Sequence, residues 1–500
     1  MSGPMSRLAR LRAALTDPAR ADRTVLVLLA VYWVVWTAYG TMAKAPQGLH
    51  PDMTEVIAWS RDLSLGYLKH PPFAAWLAAG WFAVLPMAEW SYYALAMLMP
   101  VAALWIAWRL MGDWLEPEKR VAGLALLTLI PFFNFHALKY NVNTVLLPLW
   151  AATALWFLRS VRMRDAANAV LAGAAAALSM YGKYWSVFLV AGLVVAALAD
   201  RRRGAYFRSP APWITVAVGL LVLAPHLKWL VEENFAPFTY AMIVHGEKSF
   251  AVAAKSTLGY LAGSLGYVAL PLVIVAAMAR RFAWLAEAIW PADDDRRLAA
   301  VAFWAPLLLP VVAALAGKTE ITSLWSMSAW TLLPVVLLSP RALTVRPVET
   351  QRLIGLAIVL PLVMLVASPA IAWFTRDKAQ PAEAQGRLLA EEVDRDWQRL
   401  TPEPLRFVGG PADLAYAVVT WSAYKPRALP DMPAPPAAEL ARAGRVIVCF
   451  SEDSGCKANA AKIAAAAPFS RVVESTIVRA FFRSLGKPQS YTITVIPPLR

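Results

Sequence analysis

The chain reads as an α-helical polytopic membrane protein with a small C-terminal α/β domain. Three observations predict this. Of its 500 residues, 59% are hydrophobic and only 16% are charged, against about 45–50% and about 25% in soluble domains. The apolar residues fall in blocks of about 17–22, and a helix of about 20 residues crosses a hydrocarbon layer of about 30 Å. From Thr375 onward charges rise and short β-rich runs replace the apolar blocks. The strand-like alternation of an outer-membrane barrel is absent, so helices are the spanning element.

The first element is the apolar run 24–42, preceded by Arg7, Arg10, Arg12, Arg20 and Arg23. It exceeds the usual signal-peptide apolar region, so an uncleaved first span with a cytoplasmic N-terminus is expected. Further apolar runs follow at 71–87, 91–110, 121–137, 144–158, 166–180, 184–199, 212–231, 257–278, 298–316, 322–338 and 353–373. If all of them crossed, the arginine-rich loops would alternate between the two faces. If 71–87 lies along the outer surface instead, Arg109 and Arg120, Arg159–Arg164, Arg201–Arg203, Arg280 and Arg281, Arg296 and Arg297, and Arg341–Arg352 all fall inside. Trp76, Trp81 and Trp90 suit an interfacial helix there. The expectation is about eleven spans plus that helix, an N-terminus inside and a C-terminal domain outside. Residues 1–374 form the membrane domain and 375–500 the extracytoplasmic α/β domain.

The outer loops are then 50–70, 134–143, 180–184, 232–256 and 317–321. They hold Asp52, Glu55, Lys69, His70, His136, Lys139, Asn141, Asn143, Lys183, Glu232, Glu233, His245, Lys248, Lys318 and Glu320. Polarity gathered on one face points to a surface site, whereas a transporter more often places ionisable groups at the midplane. The net charge of +15 lies largely in the loop arginines, so it orients the chain and does not call for nucleic acid. In the C-terminal part, strands are expected at 405–408, 445–450, 471–478 and 491–496, with helices at 381–400 and 457–466. The only two cysteines, Cys449 and Cys456, bracket a short polar loop there. A disulfide in an oxidising compartment and two free thiols both fit that spacing, and no Cys/His cluster has metal-ligand spacing.

The polar island HPDMTEVIAWSRDLSLGYLKHPPF, residues 50–73, is the most chemistry-bearing stretch. Asp52 is either a base or a helix N-cap, since PDMTE opens a helix. Pro71-Pro72 hold His70 extended. Lys69 and His70 either grip a phosphate or meet anionic headgroups generically, and Lys183 is read the same way. Asn141 and Asn143 either bond sugar hydroxyls or cap the helix that follows.

Three pieces together carry a family resemblance: Asp52 followed by GYLKHPPFAAWL (66–77), KYNVNTVLLPLW (139–150) and ALSMYGKYWSVFLVAGL (177–193). In this order they resemble the membrane glycosyltransferases of the GT-C class. Within that class they are similar to the bacterial group of protein O-mannosyltransferase-like proteins and lipid A aminoarabinose and galacturonic acid transferases. The resemblance implies transfer of a sugar from a polyprenyl-phosphate carrier to an acceptor hydroxyl on the outer face of the bacterial inner membrane. The acceptor would be lipid A or core, another envelope glycan, or protein. It implies Asp52 as general base with Glu55 beside it, and Tyr67, Lys69, His70, Lys139, Asn141, Asn143, Lys183 and Lys318 as substrate-binding residues. Two departures stand out. Met53 and Asn143 occupy places where many relatives carry an acid. Either Glu55 or Asp62 compensates, or the chain is divergent, or activity is lost. A divalent metal is allowed and not demanded; with the acidic positions depleted, metal-independent transfer is expected. A transporter or lipid flippase, and a non-catalytic scaffold, are the competing readings.

Overall fold

The computed structural model describes residues 6–246, 248–279, 283–430, 432 and 435–499; Arg280 and Arg281 lie outside the described residues. The chain folds as two compact units. One comprises the chain up to Thr37, Lys69–Phe73 and Ala94–Leu365; the other comprises Ala38–Leu68, Ala74–Tyr93 and the chain from Val366 on.

The first unit is helical, and some of the chain's apolar helices lie or end in the second. Seven helices among the described residues are long and apolar enough to cross a membrane: Ala21–Lys44, Glu89–Met111, Val142–Met163, Ala211–Glu232, Phe250–Ala279, Asp294–Gly317 and Pro347–Thr375. Phe73–Val84, Ala166–Gly182, Tyr184–Ala199 and Ser323–Leu338 are shorter apolar segments. The last of these holds ten residues of 3-10 helix, Ser323–Leu332, before Leu333–Leu338. At about 2.0 Å per 3-10 residue and about 1.5 Å per α residue it extends about 29 Å, so sixteen residues reach nearly as far as a full span. The run expected at 121–137 forms a helix only over Pro117–Thr128. Pro131 has no N–H and disfavours helical backbone at the residue before it, and a 3-10 turn, Pro131–Phe133, follows.

Ion pairs tie the arginine-bearing helix ends of this unit together. Asp22 accepts from Trp108 Nε1 at 2.8 Å and lies 3.4 and 3.5 Å from Arg109 and Arg120. Arg159 clamps Asp113 with two bonds, 2.7 and 3.1 Å. Asp295 takes Arg162 at 3.1 Å and Arg202 at 2.5 Å. The loop arginines are thus structural counter-ions. Elsewhere Gly173 lets the Ala166–Gly182 and Ala211–Glu232 helices touch: a Cβ there would sit 2.4 Å from the Thr215 carbonyl oxygen. Thr215 Oγ1 donates back to Ala169 O at 3.0 Å.

The second unit is built on a five-stranded sheet. Its strands are β1 (Phe407–Gly409), β2 (Arg427–Ala428), β3 (Arg445–Phe450), β4 (Arg471–Ile477) and β7 (Gln489–Ile496), in the order β2-β1-β3-β7-β4. β5 (Ala480–Phe481) and β6 (Ser484–Leu485) form a separate hairpin. β1 runs parallel to β2 and β3, while β7 is antiparallel to β3 and β4. Side chains alternate across the sheet as strand geometry requires. Val446 and Val448 join the core under the Pro381–Leu400 and Ala412–Trp421 helices. Ile447 and Cys449 pack beneath the Ser454–Ala465 helix on the other face. Cys449 and Cys456 are disulfide-bonded, with Cα atoms 5.8 Å apart, so the bonded alternative is the one this fold adopts.

Of the polar island, His50–Leu68 is part of this second unit and Lys69–Phe73 of the first. His50–Leu68 contains the helix Pro51–Ser60, of which Met53, Val56, Ile57, Ala58 and Trp59 are buried. Ala58 belongs to the same core as Leu414 and Val418 of the sheet domain. Gly48, at φ +73°, permits the chain's close approach to the Pro381–Leu400 helix; a Cβ would stand 2.2 Å from Glu383 O. Arg479 donates to Pro46 O at 2.8 Å and Ala384 O at 2.7 Å, and also to Ala45 O. Arg427 pairs with Asp62.

Candidate functional site

Within the second unit, Asp52 lies in the first turn of the Pro51–Ser60 helix and is not its cap. The N-cap is His50, whose Nδ1 accepts from the Asp52 N–H at 3.2 Å and lies 3.5 Å from Asp52 Oδ1. The capping alternative for Asp52 is therefore corrected: its carboxylate remains 38% exposed at the positive end of a helix dipole. Glu55 stands three residues on, a spacing that puts both carboxylates on one helix face, and is half-buried. Asp62, the other candidate for the missing acid, is engaged with Arg427, which leaves Glu55 as the nearer complement.

Tyr67 is a pillar of the loop. It is buried, stacks on Trp59 with ring centres 5.2 Å apart, and its hydroxyl lies 2.9 Å from both Trp59 O and Asp62 O. Burial raises its pKa. Its hydroxyl is thus engaged by the main chain of its own loop.

Within the first unit, the ends of the helices opposite the arginine ties bring a second set together. Asn141 is the N-cap of Val142–Met163, its Oδ1 accepting from Asn143 N at 2.8 Å and Thr144 N at 3.2 Å. This is the capping alternative for Asn141. Asn143 instead turns its Oδ1 to Lys183, whose Nζ donates at 2.8 Å. Lys183 is only 8% exposed and interrupts the backbone between Ala166–Gly182 and the 3-10 turn Tyr184–Ser186. Its ammonium lies 4.6 Å from the Trp325 ring centre, a cation–π placement. The His245 ring meets the edge of Trp325 at 5.2 Å. Burial, then Lys183, pushes the His245 pKa below its ordinary value, against the pull of Glu320. Lys248 lies 3.8 Å from Glu320.

Lys69 meets the helix Ala236–His245, which ends in His245: its Nζ lies 5.9 Å over Tyr240. Lys318 is exposed at φ +50°, where its carbonyl accepts the Lys248 N–H at 3.1 Å. His70 and Lys139 are half-buried in their loops. Sequence reasoning missed Trp325 and Tyr240. The only signal for Trp325 was its place just past the short loop 317–321, and tryptophan is too common here, at 22 residues, for that to single it out. The arrangement offers buried positive charge beside an aromatic face, a setting able to favour an anionic group. Among the described residues no group of three or more His, Cys, Asp or Glu is placed to hold a metal.

Comparison with known proteins finds this chain similar to glycosyltransferases over part of its sequence, and to one solved structure in its fold. The family described as dolichyl-phosphate-mannose-protein mannosyltransferase matches residues 69–229. Lipopolysaccharide core galacturonosyltransferase RgtA of Rhizobium johnstonii is 26% identical over 346 residues, covering 64% of this chain and 65% of that protein. RgtB of the same organism is 28% identical over 272 residues, 53% of each. The chain thus spans between half and two thirds of these relatives' length. The fold is similar to ArnT from Cupriavidus metallidurans in the apo state, with TM-score 0.62 at 15% identity over 94% of this chain and 97% of that one. The same protein bound to undecaprenyl phosphate gives 0.61.

Proposed function

We propose that the chain transfers a sugar from a polyprenyl-phosphate carrier to a hydroxyl of an envelope glycolipid at the outer face of the bacterial inner membrane. The observation that carries this is the Lys183–Asn143–Trp325–His245 cluster at the helix ends opposite the arginine ties. In this reading Lys183, with Lys69 and His70, receives the carrier phosphate, where negative charge grows as the glycosidic bond breaks. Asp52, supported by Glu55, takes the proton of the acceptor hydroxyl. Lys139, Asn143 and Lys318 flank the substrates. Two matching relatives are lipopolysaccharide core galacturonosyltransferases, and RgtD of the same organism is a lipid A galacturonosyltransferase, 24% identical over 281 residues. These names support a lipopolysaccharide acceptor and a uronic acid as the first sugar to test. A cation-rich site suits both the carrier phosphate and a sugar carboxylate.

The proposed topology has eleven crossings, with residues 1–374 in the membrane and 375–500 outside. It rests on the arginine distribution. A reporter fused after Leu110 that reads as outside refutes that topology. The activity is tested by incubating purified protein with a polyprenyl-phosphate-linked labelled galacturonic acid and lipid A–core acceptor. Label enters the acceptor, and Asp52→Asn reduces transfer at least about 100-fold, the scale of a general base. Unchanged transfer by Asp52→Asn refutes the base; no transfer of any lipid-linked sugar refutes the activity.

A further inference from the structure

The second unit carries an exposed apolar feature that transfer does not use. β5 and β6 pair Ala480 with Leu485 and Phe481 with Ser484, which leaves a two-residue turn of Phe482 and Arg483. Both turn residues have left-handed backbone, φ +46° and +65°. Turns with two positive φ values favour Asn-Gly or Asp-Gly, and a bulky residue in that region is an outlier that invites a functional explanation. The turn presents Phe482, 75% exposed, with Leu485, 73% exposed, beside it. Arg483 and Lys487 are also exposed.

Position explains the feature. Arg479, immediately before β5, donates to Ala45 O and Pro46 O, the two residues following the helix Ala21–Lys44. The Gly486 N–H closes the hairpin's base onto Arg479 O at 2.8 Å. A 340 Å³ cavity is shared by Pro46, Arg376, Lys378, Phe481, Ser484 and Lys487. Arg376 follows the helix Pro347–Thr375, whose last turn exposes Trp373 and Phe374, and its guanidinium stacks 4.2 Å from the Trp373 ring. The hairpin is therefore pinned at the level where two helices of membrane-spanning length end. Tryptophan and arginine at such an end mark the water–hydrocarbon boundary.

We propose that the Arg479–Lys487 hairpin is a membrane wedge: Phe482 and Leu485 enter the outer leaflet while Arg483 and Lys487 meet anionic phospholipid headgroups. Apolar side chains flanked by cations are the composition of interfacial anchors, with Asp377 the one acid in the adjoining segment 376–378. The wedge holds the sheet domain against the membrane.

The test uses the full-length protein in nanodiscs of phosphatidylcholine and phosphatidylglycerol. Phe482→Cys, and separately Leu485→Cys, are labelled with an environment-sensitive fluorophore; the two native cysteines are paired with each other. Glu439→Cys, in the helix Ala437–Ala443 near the start of β3, is the reference, because β7 carries the chain from the hairpin end of the sheet to that end. Lipid bearing a quencher near the headgroup is expected to dim both hairpin labels at least about twofold and to leave the reference unchanged. Adding Arg483→Glu with Lys487→Glu is expected to weaken quenching of the Leu485→Cys label. Hairpin labels quenched no more than the reference overturn the proposal. So does a blue shift that grows with protein concentration in detergent and is absent from single-copy nanodiscs, which assigns the patch to a second copy of the chain.

Discussion

Replacing Lys183 by Met separates a ligand-binding ammonium from a structural one. Met keeps most of the side chain's length and removes its charge. In the folded protein Lys183 is 8% exposed, donates to Asn143 Oδ1 at 2.8 Å and stands 4.6 Å from the Trp325 ring centre. Burying that charge costs desolvation energy, against which the Asn143 amide and the Trp325 face act. Removing it therefore leaves the fold about as stable or slightly more stable. A charged hydrogen bond to phosphate contributes about 1.5–3 kcal/mol, so at about 1.4 kcal/mol per tenfold the donor affinity falls by about 10–150-fold. The assay is the KM for the lipid-linked sugar, paired with inhibition by the free polyprenyl phosphate, in purified protein whose unfolding temperature is measured alongside. A KM and inhibition constant within twofold of the parent, together with an unfolding temperature lowered by several degrees, refute the reasoning and make Lys183 a packing residue.

Gly48→Ala places a Cβ 2.2 Å from Glu383 O at φ +73°; the left-handed backbone alone costs about 1–2 kcal/mol, and heat-induced exposure of the sheet domain to protease begins at a lower temperature. Arg479→Ala leaves three main-chain carbonyls without their donor and costs about 3 kcal/mol or more. Arg427→Ala breaks a pair whose side chains are 36% and 35% exposed and costs about 1 kcal/mol or less; denaturant titration that reverses this ranking refutes the assignment of Arg479 as the principal clamp. His245 has its pKa held below the ordinary value by burial and Lys183. The unfolded chain therefore binds a proton near pH 6.5 that the folded chain refuses, and stability falls as pH drops below that value. Unfolding temperatures from pH 7.5 to 5.5 show this slope, and His245→Gln flattens it.

The membrane character was legible because hydropathy and arginine placement act locally, one block at a time. Runs such as 91–110 and 298–316 lie inside the observed helices Glu89–Met111 and Asp294–Gly317. Of the strands, the runs at 405–408, 445–450, 471–478 and 491–496 overlap β1, β3, β4 and β7. The short β2 and the hairpin were missed because two-residue strands carry no periodicity. The helix Ala412–Trp421 was missed because its residues Leu414–Val419 are all buried, which erases the amphipathic pattern. In the candidate site, Lys183 and Asn143 were each legible as polar residues at the end of an apolar run. Their 2.8 Å bond was not, because it joins residues 40 apart in sequence.

Sequence by itself determined that the chain is a helical membrane protein, that its polar residues gather in a few loops, and that its motifs resemble GT-C glycosyltransferases, since composition and short motifs need no partner to be read. Tertiary structure alone decided three roles. It made His50 the helix cap in place of Asp52. It committed Tyr67 and Asp62 to structure. It packed the segment 45–62 against the sheet domain through Ala58, Asp62 and the carbonyls of Ala45 and Pro46. Each of those outcomes depends on which distant donor, acceptor or apolar surface arrives at a given residue. That is a property of the folded chain in three dimensions and is carried by no local pattern.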